Sequence, residues 1–322
     1  MEFLNQTTHS AELIHGPLGS NHHGVCVLAK QTRPILPGLP GPSEPFEWPV
    51  SRTELKTDFG DFPFEHHFPL AKLDLMVVGH AVTPQKRPMR EMRVGLSVGS
   101  QFQYIQHIFG DRQWKKSLLD YKIGEPDLFT EMPLTLKNAF GGTIEMENAK
   151  LQNLDNPEGK GYLVKGASIE GTPLPNIERP NHLIRHPFDE PMPTCMAPYP
   201  LAGRLRYLDK VSPQGAKPFA KEDCNSYFGQ AHPDLVMERL APGTPIRIEG
   251  MHATEIFSFT VPACPFRATV EIDSRVEPLR FSLDAICVFT HLNRVGFRYR
   301  AASSFHLEPR QLRKVSLEEV AA

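Results

Sequence analysis

The stretch from Met92 to Phe109, MRVGLSVGSQFQYIQHIF, decides the fold class of this chain. From Met92 to Val98, apolar residues alternate with small or polar residues, which is the pattern of a half-buried strand. Gly99-Ser100 is typical of a tight turn, and it leads into a second strand, Phe102 to Phe109. Two strands joined by so short a loop predict a β-hairpin.

Strand signals continue on both sides of this hairpin. Upstream, Gly24 to Lys30 and Leu73 to Ala81 are short apolar runs of the kind that form strands. Downstream, six short segments follow at sandwich-like spacing: Pro245–Glu249, Ile256–Val261, Phe266–Ile272, Leu279–Leu283, Ala285–Thr290 and Val295–Arg300. The pattern predicts a mainly β fold, with an antiparallel β-sandwich or barrel-like sheets, long Pro/Gly-rich loops and a few short helices.

Helix signals are few. Asp234 to Leu240 and Pro309 to Val320 are predicted to be helical, the second with proline at its first position. We divide the chain into an N-terminal strand and proline-rich arm that packs on the main body (1–72), a β-rich domain (73–306) and a short C-terminal helix or tail (307–322). Within the β-rich domain, residues 148–219 show no sustained periodicity and are predicted to form long ordered loops, which are often functional.

The composition is globular, with proline as the outlier. The chain has 31 prolines among 322 residues, roughly double the usual share of about 5%. So many prolines favour turns and extended segments over helices. The net charge of −2 provides no positive field to attract phosphates, so we expect no nucleic-acid partner.

Targeting signals and paired cysteines are not apparent. Met1 to His9 has neither a basic nor an apolar run, and nowhere do 18 apolar residues follow one another, so we expect a cytoplasmic protein without direct membrane insertion. The cysteines are odd in number and widely spaced, which favours reduced thiols over a disulfide framework. They are Cys26, Cys195, Cys224, Cys264 and Cys287.

Two features could carry chemistry. His182 and His186 have the i, i+4 spacing of a helical zinc site, but Pro180 and Pro187 flank them and the general-base glutamate is missing. We therefore predict a loop pair of histidines without a metal. Cys195 follows closely and would be a nucleophile if a histidine activated it. No hydrolase signature accompanies it, so we expect a buried cysteine, no catalytic residue and no cofactor.

Two other motifs are less common. Phe109 to Trp114 combines a turn glycine with Asp111, Arg112 and Trp114, and we expect Arg112 to pair with a carboxylate or to stack on the tryptophan. Arg and Trp are also enriched at interfaces, although a core anchor is the favoured interpretation of Trp114. The second motif, Met132 to Gly142, ends in a glycine pair that favours a structural turn over a phosphate site.

These motifs, in this order, resemble a bacterial family of type VI secretion accessory proteins that was long catalogued as a domain of unknown function. The resemblance covers about residues 24–305 and depends on Leu75–Ala81 with Pro84, Phe109–Arg112 with Trp114, Met132–Leu134 with Asn138–Gly142, Asn156-Pro157 with Gly159 and Gly161, Leu174–Glu178, Tyr227-Phe228 with Pro233-Asp234, and Phe297–Arg300. The chain departs from the pattern at Phe297-Arg298, where a Trp-Arg pair is expected, and it has no tryptophan after Pro198 and no pentapeptide repeats.

The resemblance implies a non-enzymatic cytoplasmic adaptor, or chaperone. Such a protein binds a toxin effector that carries a PAAR-like domain and helps to load it onto the VgrG spike, so the expected partners are that effector and VgrG. Because the family has no established catalytic residues, the candidate partner-binding residues are those of its motifs: Asp111, Arg112, Trp114, Asn138, Phe140, Gly141, Gly142 and Asn176. The alternatives are a hydrolase that uses Cys195 with a nearby histidine, or a ligand-binding β-sandwich module.

Overall fold

A computed structural model describes residues 1–19, 22–147, 149–211, 224–306 and 312–320 of the chain, and these residues are mainly β, as predicted. The strands are β1 (Glu2–Asn5), β2 (Ala11–Gly19), β3 (His22–Pro34), β4 (Leu73–Val78), β5 (His80–Val82), β6 (Glu91–Val98), β7 (Phe102–Phe109), β8 (Trp114–Lys116), β9 (Tyr121–Ile123), β10 (Glu131–Pro133), β11 (Phe140–Gly141), β12 (Thr143–Met146), β13 (Ala149–Gln152), β14 (Lys160–Gly161), β15 (Ile177–Glu178), β16 (Val236–Met237), β17 (Pro245–Glu249), β18 (Phe257–Thr260), β19 (Phe266–Ile272), β20 (Arg275–Leu279), β21 (Phe281–Phe289), β22 (Arg294–His306) and β23 (Leu312–Glu319). The helices in these residues are α1 (Leu201–Val211) and α2 (Cys224–Phe228). Neither is long and apolar enough to cross a bilayer.

Three open sheets contain most of the strands. Their orders are β16-β4-β21-β22-β3-β2, β15-β7-β6-β17-β18 and β1-β23-β19-β20. The remaining described strands form two-stranded ribbons, and no sheet closes into a barrel within the described residues. Pairing is mixed, because β4 runs parallel to β21 and β1 runs parallel to β23. The fold is therefore a set of packed, open sheets and is not purely antiparallel.

The predicted hairpin is present as β6 and β7. Val98 lies opposite Phe102 at the turn, and Met92 lies opposite Ile108 at the far end. Gly99 in the turn has a φ of 59°, a left-handed conformation that glycine adopts without a steric cost. On β6 the side chains of Val94, Leu96 and Val98 are buried, so the alternation in the sequence directs one face of the hairpin into the core.

A single hydrophobic core joins the three sheets. Val27 and Phe297 contribute from the six-stranded sheet, Leu96 from the five-stranded sheet, and Val270 and Val315 from the four-stranded sheet. These side chains are all fully buried or nearly so. Burial of apolar area on this scale is the main favourable contribution to folding.

The opposite face of the six-stranded sheet carries a buried ion network, which consists of Lys30, Glu65, Asp284, Arg298 and Arg300. Arg298 donates to Asp284 at 2.7 Å and to Glu65 at 2.8 Å, and Lys30 lies 2.6 Å from Glu65. Arg300 also donates to Asp284 and, at 2.9 Å, to the backbone carbonyl of Glu65. All five side chains are fully buried.

Glu65 brings the proline-rich segment onto this face. Its carboxylate also accepts a hydrogen bond from the Ser51 amide at 2.8 Å, and Lys30 donates to the Pro49 carbonyl at 2.6 Å. Burial alone would raise the pKa of Glu65, but Lys30 and Arg298 hold it at about 2. The carboxylate thus stays ionised and fixes residues 49–65 against the sheet by charge-assisted hydrogen bonds.

Three local predictions are wrong. The described part of 309–320 is strand β23, because pairing with β19 and β1 buries Val315 and Leu317; Pro309 itself lies outside the described residues. Residues 234–240 form a single short turn and strand β16 instead of a helix. The predicted strands 279–283 and 285–290 lie largely within one strand, β21, whose register shifts between Leu283 and Ala285. Tertiary pairing overrides local propensity at each of these places.

The loop region contains one element that the sequence analysis missed. Helix α1 lies within residues 148–219, where long ordered loops were expected. Its buried Arg204 donates to the backbone carbonyls of Tyr199 and Ser226, the latter at 3.1 Å, and so ties α1 to α2. The two helices therefore depend on mutual packing, which a single-sequence pattern does not reveal.

Candidate partner-binding site

The motif residues meet in a second, smaller core. Trp114, Phe140, Leu163, Leu174 and Ile184 pack together and are all buried. They come from separate stretches of the chain, which places residues 109–116, 138–142, 156–163 and 172–178 side by side. We call these four segments the motif module. The expectation that Trp114 is a core anchor agrees with its burial.

Asn156 holds the glycine pair of the module. Its side-chain amide donates to the carbonyls of Leu136 and Phe140 at 2.8 and 2.9 Å, and its own carbonyl accepts from Gly142 at 2.8 Å. Gly141 has a φ of 145°, and a Cβ there would lie 2.1 Å from the Asn156 carbonyl oxygen. No larger residue fits this contact, so Gly141 and Gly142 shape the backbone.

Asp111, Asn176 and Lys160 form a polar cluster at the surface of the module. The Asn176 amide donates to the Asp111 carboxylate at 3.0 Å and to the Phe109 carbonyl at 3.1 Å. Lys160 donates to the Asn176 side-chain oxygen at 2.7 Å and lies 3.4 Å from Asp111. The hydrogen bond from Asn176 and the nearby Lys160 charge lower the pKa of Asp111.

Arg112 points inward from the same turn. It pairs with the carboxylate of Glu178, and its guanidinium lies 3.6 Å from the centre of the Phe109 ring. Of the two arrangements expected for Arg112, the carboxylate pair is the one present, and its aromatic neighbour is Phe109. Glu178 also accepts from the Ile184 amide at 2.8 Å. Burial raises the pKa of Glu178 despite the neighbouring guanidinium.

The eight candidate residues thus lie in one module, but few of them reach the surface. Asp111 is exposed and Asn138 is half-buried, whereas Arg112, Trp114, Phe140, Gly141, Gly142 and Asn176 are buried. Asn138 donates to the Pro133 carbonyl at 2.9 Å and accepts from the Asn176 amide at 2.8 Å. Most of these residues therefore support the surface from below and are not themselves exposed to a partner.

Two adjoining clefts lie on the outside of the module. The larger, with a volume of about 550 Å³, runs between strand β12 and the glycine-rich segment 159–168. The smaller, about 390 Å³, is lined by Asp111, Lys115, Asp127 and other polar residues. Lys160 and Pro173 line both clefts. The polar cluster around Lys160 therefore lies at the border between the two clefts.

Beside the smaller cleft projects a hairpin formed by β8 and β9, which we call the lysine–leucine hairpin (Trp114–Ile123). Its tip carries Leu118 and Leu119, which are both fully exposed. The turn is held by two bonds at 2.7 Å, from the Ser117 amide to the Asp120 carbonyl and from the Tyr121 amide to the Asp120 carboxylate. In the sequence a Leu-Leu pair is typical of a core, so this surface was not predicted.

The residues considered for catalysis lie in different surroundings. Cys195 is fully buried, its thiol donates to the Leu134 carbonyl at 3.3 Å, and burial raises its pKa to about 12. His182 and His186 are exposed and lie outside any helix, so their spacing does not place them on one helical face. Within the described residues, no group of three or more His, Cys, Asp or Glu side chains is arranged to hold a metal ion.

Comparison with known proteins identifies one family. A family model described as "Uncharacterized protein conserved in bacteria (DUF2169)" matches residues 22–300, well over half of the chain. No curated protein and no solved structure matches the chain. The matched span contains the whole motif module and the lysine–leucine hairpin.

Proposed function

The chain belongs to this bacterial family of uncharacterized proteins, and we propose that it is a cytoplasmic adaptor for type VI secretion. In this role it binds a toxin effector that carries a PAAR-like domain and helps to load the effector onto the VgrG spike. The proposal takes the partners from the family that the motifs resemble. An adaptor of this kind needs a surface that binds a protein, and it does not need catalytic residues.

The observation that carries the proposal is the convergence of the motifs. Segments separated by up to about 60 residues assemble into one module, and their buried side chains support two clefts and a hairpin with an apolar tip. An apolar projection beside the polar smaller cleft has the layout of a protein interface, in which a few apolar anchors are surrounded by polar residues. Exposed apolar side chains elsewhere are distributed over many elements.

Open sheet edges offer a second way to hold a cargo. Strand β20 is the last strand of its sheet, and its Val276 is largely exposed. An extended segment can add to such an edge through main-chain hydrogen bonds, with side-chain contacts providing specificity. An adaptor could therefore shield an unpaired segment of an effector until the effector is loaded.

A secretion experiment tests the function. The gene for this protein is deleted in its native bacterium, and the amounts of PAAR-like effectors are measured by mass spectrometry in cells and in culture medium. We expect one effector to disappear from the medium while other cargo of the same apparatus is still exported. The tagged protein should co-purify with that effector from the cytoplasm at both physiological and high salt.

Two outcomes contradict the proposal. Unchanged export of every PAAR-like effector in the deletion strain would exclude an adaptor role in secretion. A defect in all cargo alike would instead indicate a part of the apparatus itself. Complementation with the wild-type gene controls for effects on neighbouring genes.

A further inference from the structure

We propose that the lysine–leucine hairpin is the docking point for an acidic surface of a partner protein, which takes Leu118 and Leu119 into an apolar pocket. The inference rests on the proposed function, because it assigns the surface that the adaptor presents. The inference also stands apart from that function, because the charge and the apolar tip of the hairpin determine what kind of protein surface can bind there.

A short, hydrogen-bonded hairpin exposes the two leucines. Strands β8 and β9 are three residues long each, and the turn between them is fixed by the two hydrogen bonds to Asp120. Trp114 at the base is buried in the second core, so the hairpin is anchored at one end and projects at the other. A tip that is ordered before binding loses little conformational entropy when it docks.

The charge of the hairpin defines its partner. Lys115 lies directly opposite Lys122, and Lys116 follows on the same strand. None of these three lysines forms an ion pair in the parts of the chain that the structure describes, and all three are exposed. Like charges directly opposite each other on neighbouring strands are destabilising, and an anionic partner reverses that effect. The one carboxylate at the tip, Asp120, is engaged by the Tyr121 amide.

A protein fits these features better than a membrane does. Trp and Tyr are enriched at lipid interfaces, but Trp114 is buried and Tyr121 is half-buried, so the tip has no exposed aromatic anchor. Lys115 also lines the smaller cleft, where it stands with Asp111, Asp127 and Lys160. A partner that binds the two leucines would therefore also contact the charged residues of this cleft. Protein interfaces commonly have such a polar rim around an apolar anchor.

Site-specific photo-crosslinking tests the inference in the native bacterium with the full chain. The photoreactive residue p-benzoylphenylalanine replaces Leu119 or, as a matched control, Phe64, which is also exposed but lies in the proline-rich segment on the six-stranded sheet. We expect a crosslink to a protein from position 119 and none to that protein from position 64. Mass spectrometry of the linked peptide should locate it in a segment with both acidic and apolar residues.

Substitutions then test the two parts of the surface. Replacing Leu118 and Leu119 by serine should reduce co-purification of the crosslinked protein by on the order of a hundredfold, since each leucine loses its buried area. Lys115→Glu with Lys122→Glu should weaken binding by about tenfold or more at low salt and less at high salt. Phe64→Ser and Lys56→Glu, both at exposed sites, serve as controls and should leave binding unchanged.

The outcomes separate this inference from the proposed function. A crosslinked PAAR-like effector or VgrG supports both, whereas an acidic partner of another kind supports the docking role of the hairpin and contradicts its use in effector loading. A crosslink only to a second copy of the chain, or no crosslink, overturns the docking role even if an effector co-purifies. Binding to phosphatidylglycerol vesicles that the Leu118→Ser/Leu119→Ser variant loses would assign the tip to a membrane and also overturn it.

Discussion

Arg298 donates to Asp284 at 2.7 Å between two neighbouring strands of the six-stranded sheet, with both side chains fully buried. Asp284 sits where the register of β21 shifts, between Leu283 and Ala285. A β-bulge re-aims the side chain at its position, and here it directs a carboxylate toward two arginines. The pair therefore depends on an irregular strand as well as on charge.

Arg298→Met should destabilise the fold by about 3–5 kcal/mol, because it leaves Asp284 and Glu65 buried with one fewer cation. The free energy of unfolding in urea provides the measurement. Arg267→Met is the matched control, since Arg267 lies exposed on β19, and its effect should stay within about 0.5 kcal/mol. A loss below about 1 kcal/mol for Arg298→Met would contradict a structural role for the network.

Stability should fall as the pH is lowered from about 6.5 toward 4. His67 accepts from Arg300 at 3.0 Å through Nε2, so it must be neutral, and burial lowers its pKa to about 3. His232 is likewise neutral, since it accepts from the Asp234 amide and burial lowers its pKa to about 4. Both histidines bind protons more readily in the unfolded chain. Their contribution is therefore present above the unfolded pKa of 6.5 and is lost as the pH falls toward the folded values.

Each histidine should add about 1.4 kcal/mol per pH unit to the slope of unfolding free energy between pH 6 and 4. Urea unfolding across this range measures the slope. His67→Gln keeps an acceptor for Arg300 and should remove the contribution of one proton, whereas Asn181→Gln, at an exposed site without a titrating side chain, should leave the slope unchanged. An unaltered slope in His67→Gln would show that this residue is not held neutral.

Asn156→Ala should loosen the motif module. It removes the side-chain donor to the Phe140 carbonyl and one of two donors to the Leu136 carbonyl, which keeps the Ala139 amide. A buried carbonyl without a partner costs about 1–3 kcal/mol. We expect the melting temperature to drop and amide hydrogen exchange to accelerate in residues 138–163 more than in strands β3 or β22. Asn181→Ala, at an exposed site, is the control. Uniform acceleration throughout the chain would indicate that the module is not a separate structural unit.

Cys195 should resist alkylation in the folded protein. Burial raises its pKa to about 12, so little thiolate is present at neutral pH, and the thiol is fully enclosed. Iodoacetamide treatment followed by mass spectrometry should show modification of Cys195 in urea and none in native buffer. Rapid labelling of the native protein would revive the interpretation of Cys195 as a histidine-activated nucleophile.

The sequence predicted correctly those elements whose structure follows from the residues within them. The hairpin of β6 and β7 follows from strict alternation and from a glycine in the turn. Strand β23 did not follow, because its charged sequence has no strong local preference and its structure comes from pairing with β1 and β19. Lys30, Asp74 and Asp284 were visible as single charges within apolar runs. Their partners come from other elements, since Lys30 pairs with Glu65 and Asp74 accepts from Asn225, 151 residues away.

The candidate site shows the same division. Motif order identified eight residues that lie in one module. It could not distinguish buried residues that support a surface from exposed residues that a partner can contact. Lys160 was not among the predicted site residues, because its partners Asp111 and Asn176 lie in other segments of the chain. The exposed Leu118 and Leu119 were missed for the opposite reason, since leucine in a sequence predicts burial. Only the projection of β8 and β9 exposes them.

Strands β1 and β23 run parallel, with Glu2 beside Lys314 and Asn5 beside Leu317. A force that pulls on β1 in the N-terminal direction and on β23 in the C-terminal direction therefore acts along both strands in opposite senses. Such a load shears the hydrogen bonds between them together, whereas an antiparallel pair pulled from its open end separates one bond at a time. The four-stranded sheet is thus the part of the molecule that resists extension first, and its mechanical strength depends on four residue pairs.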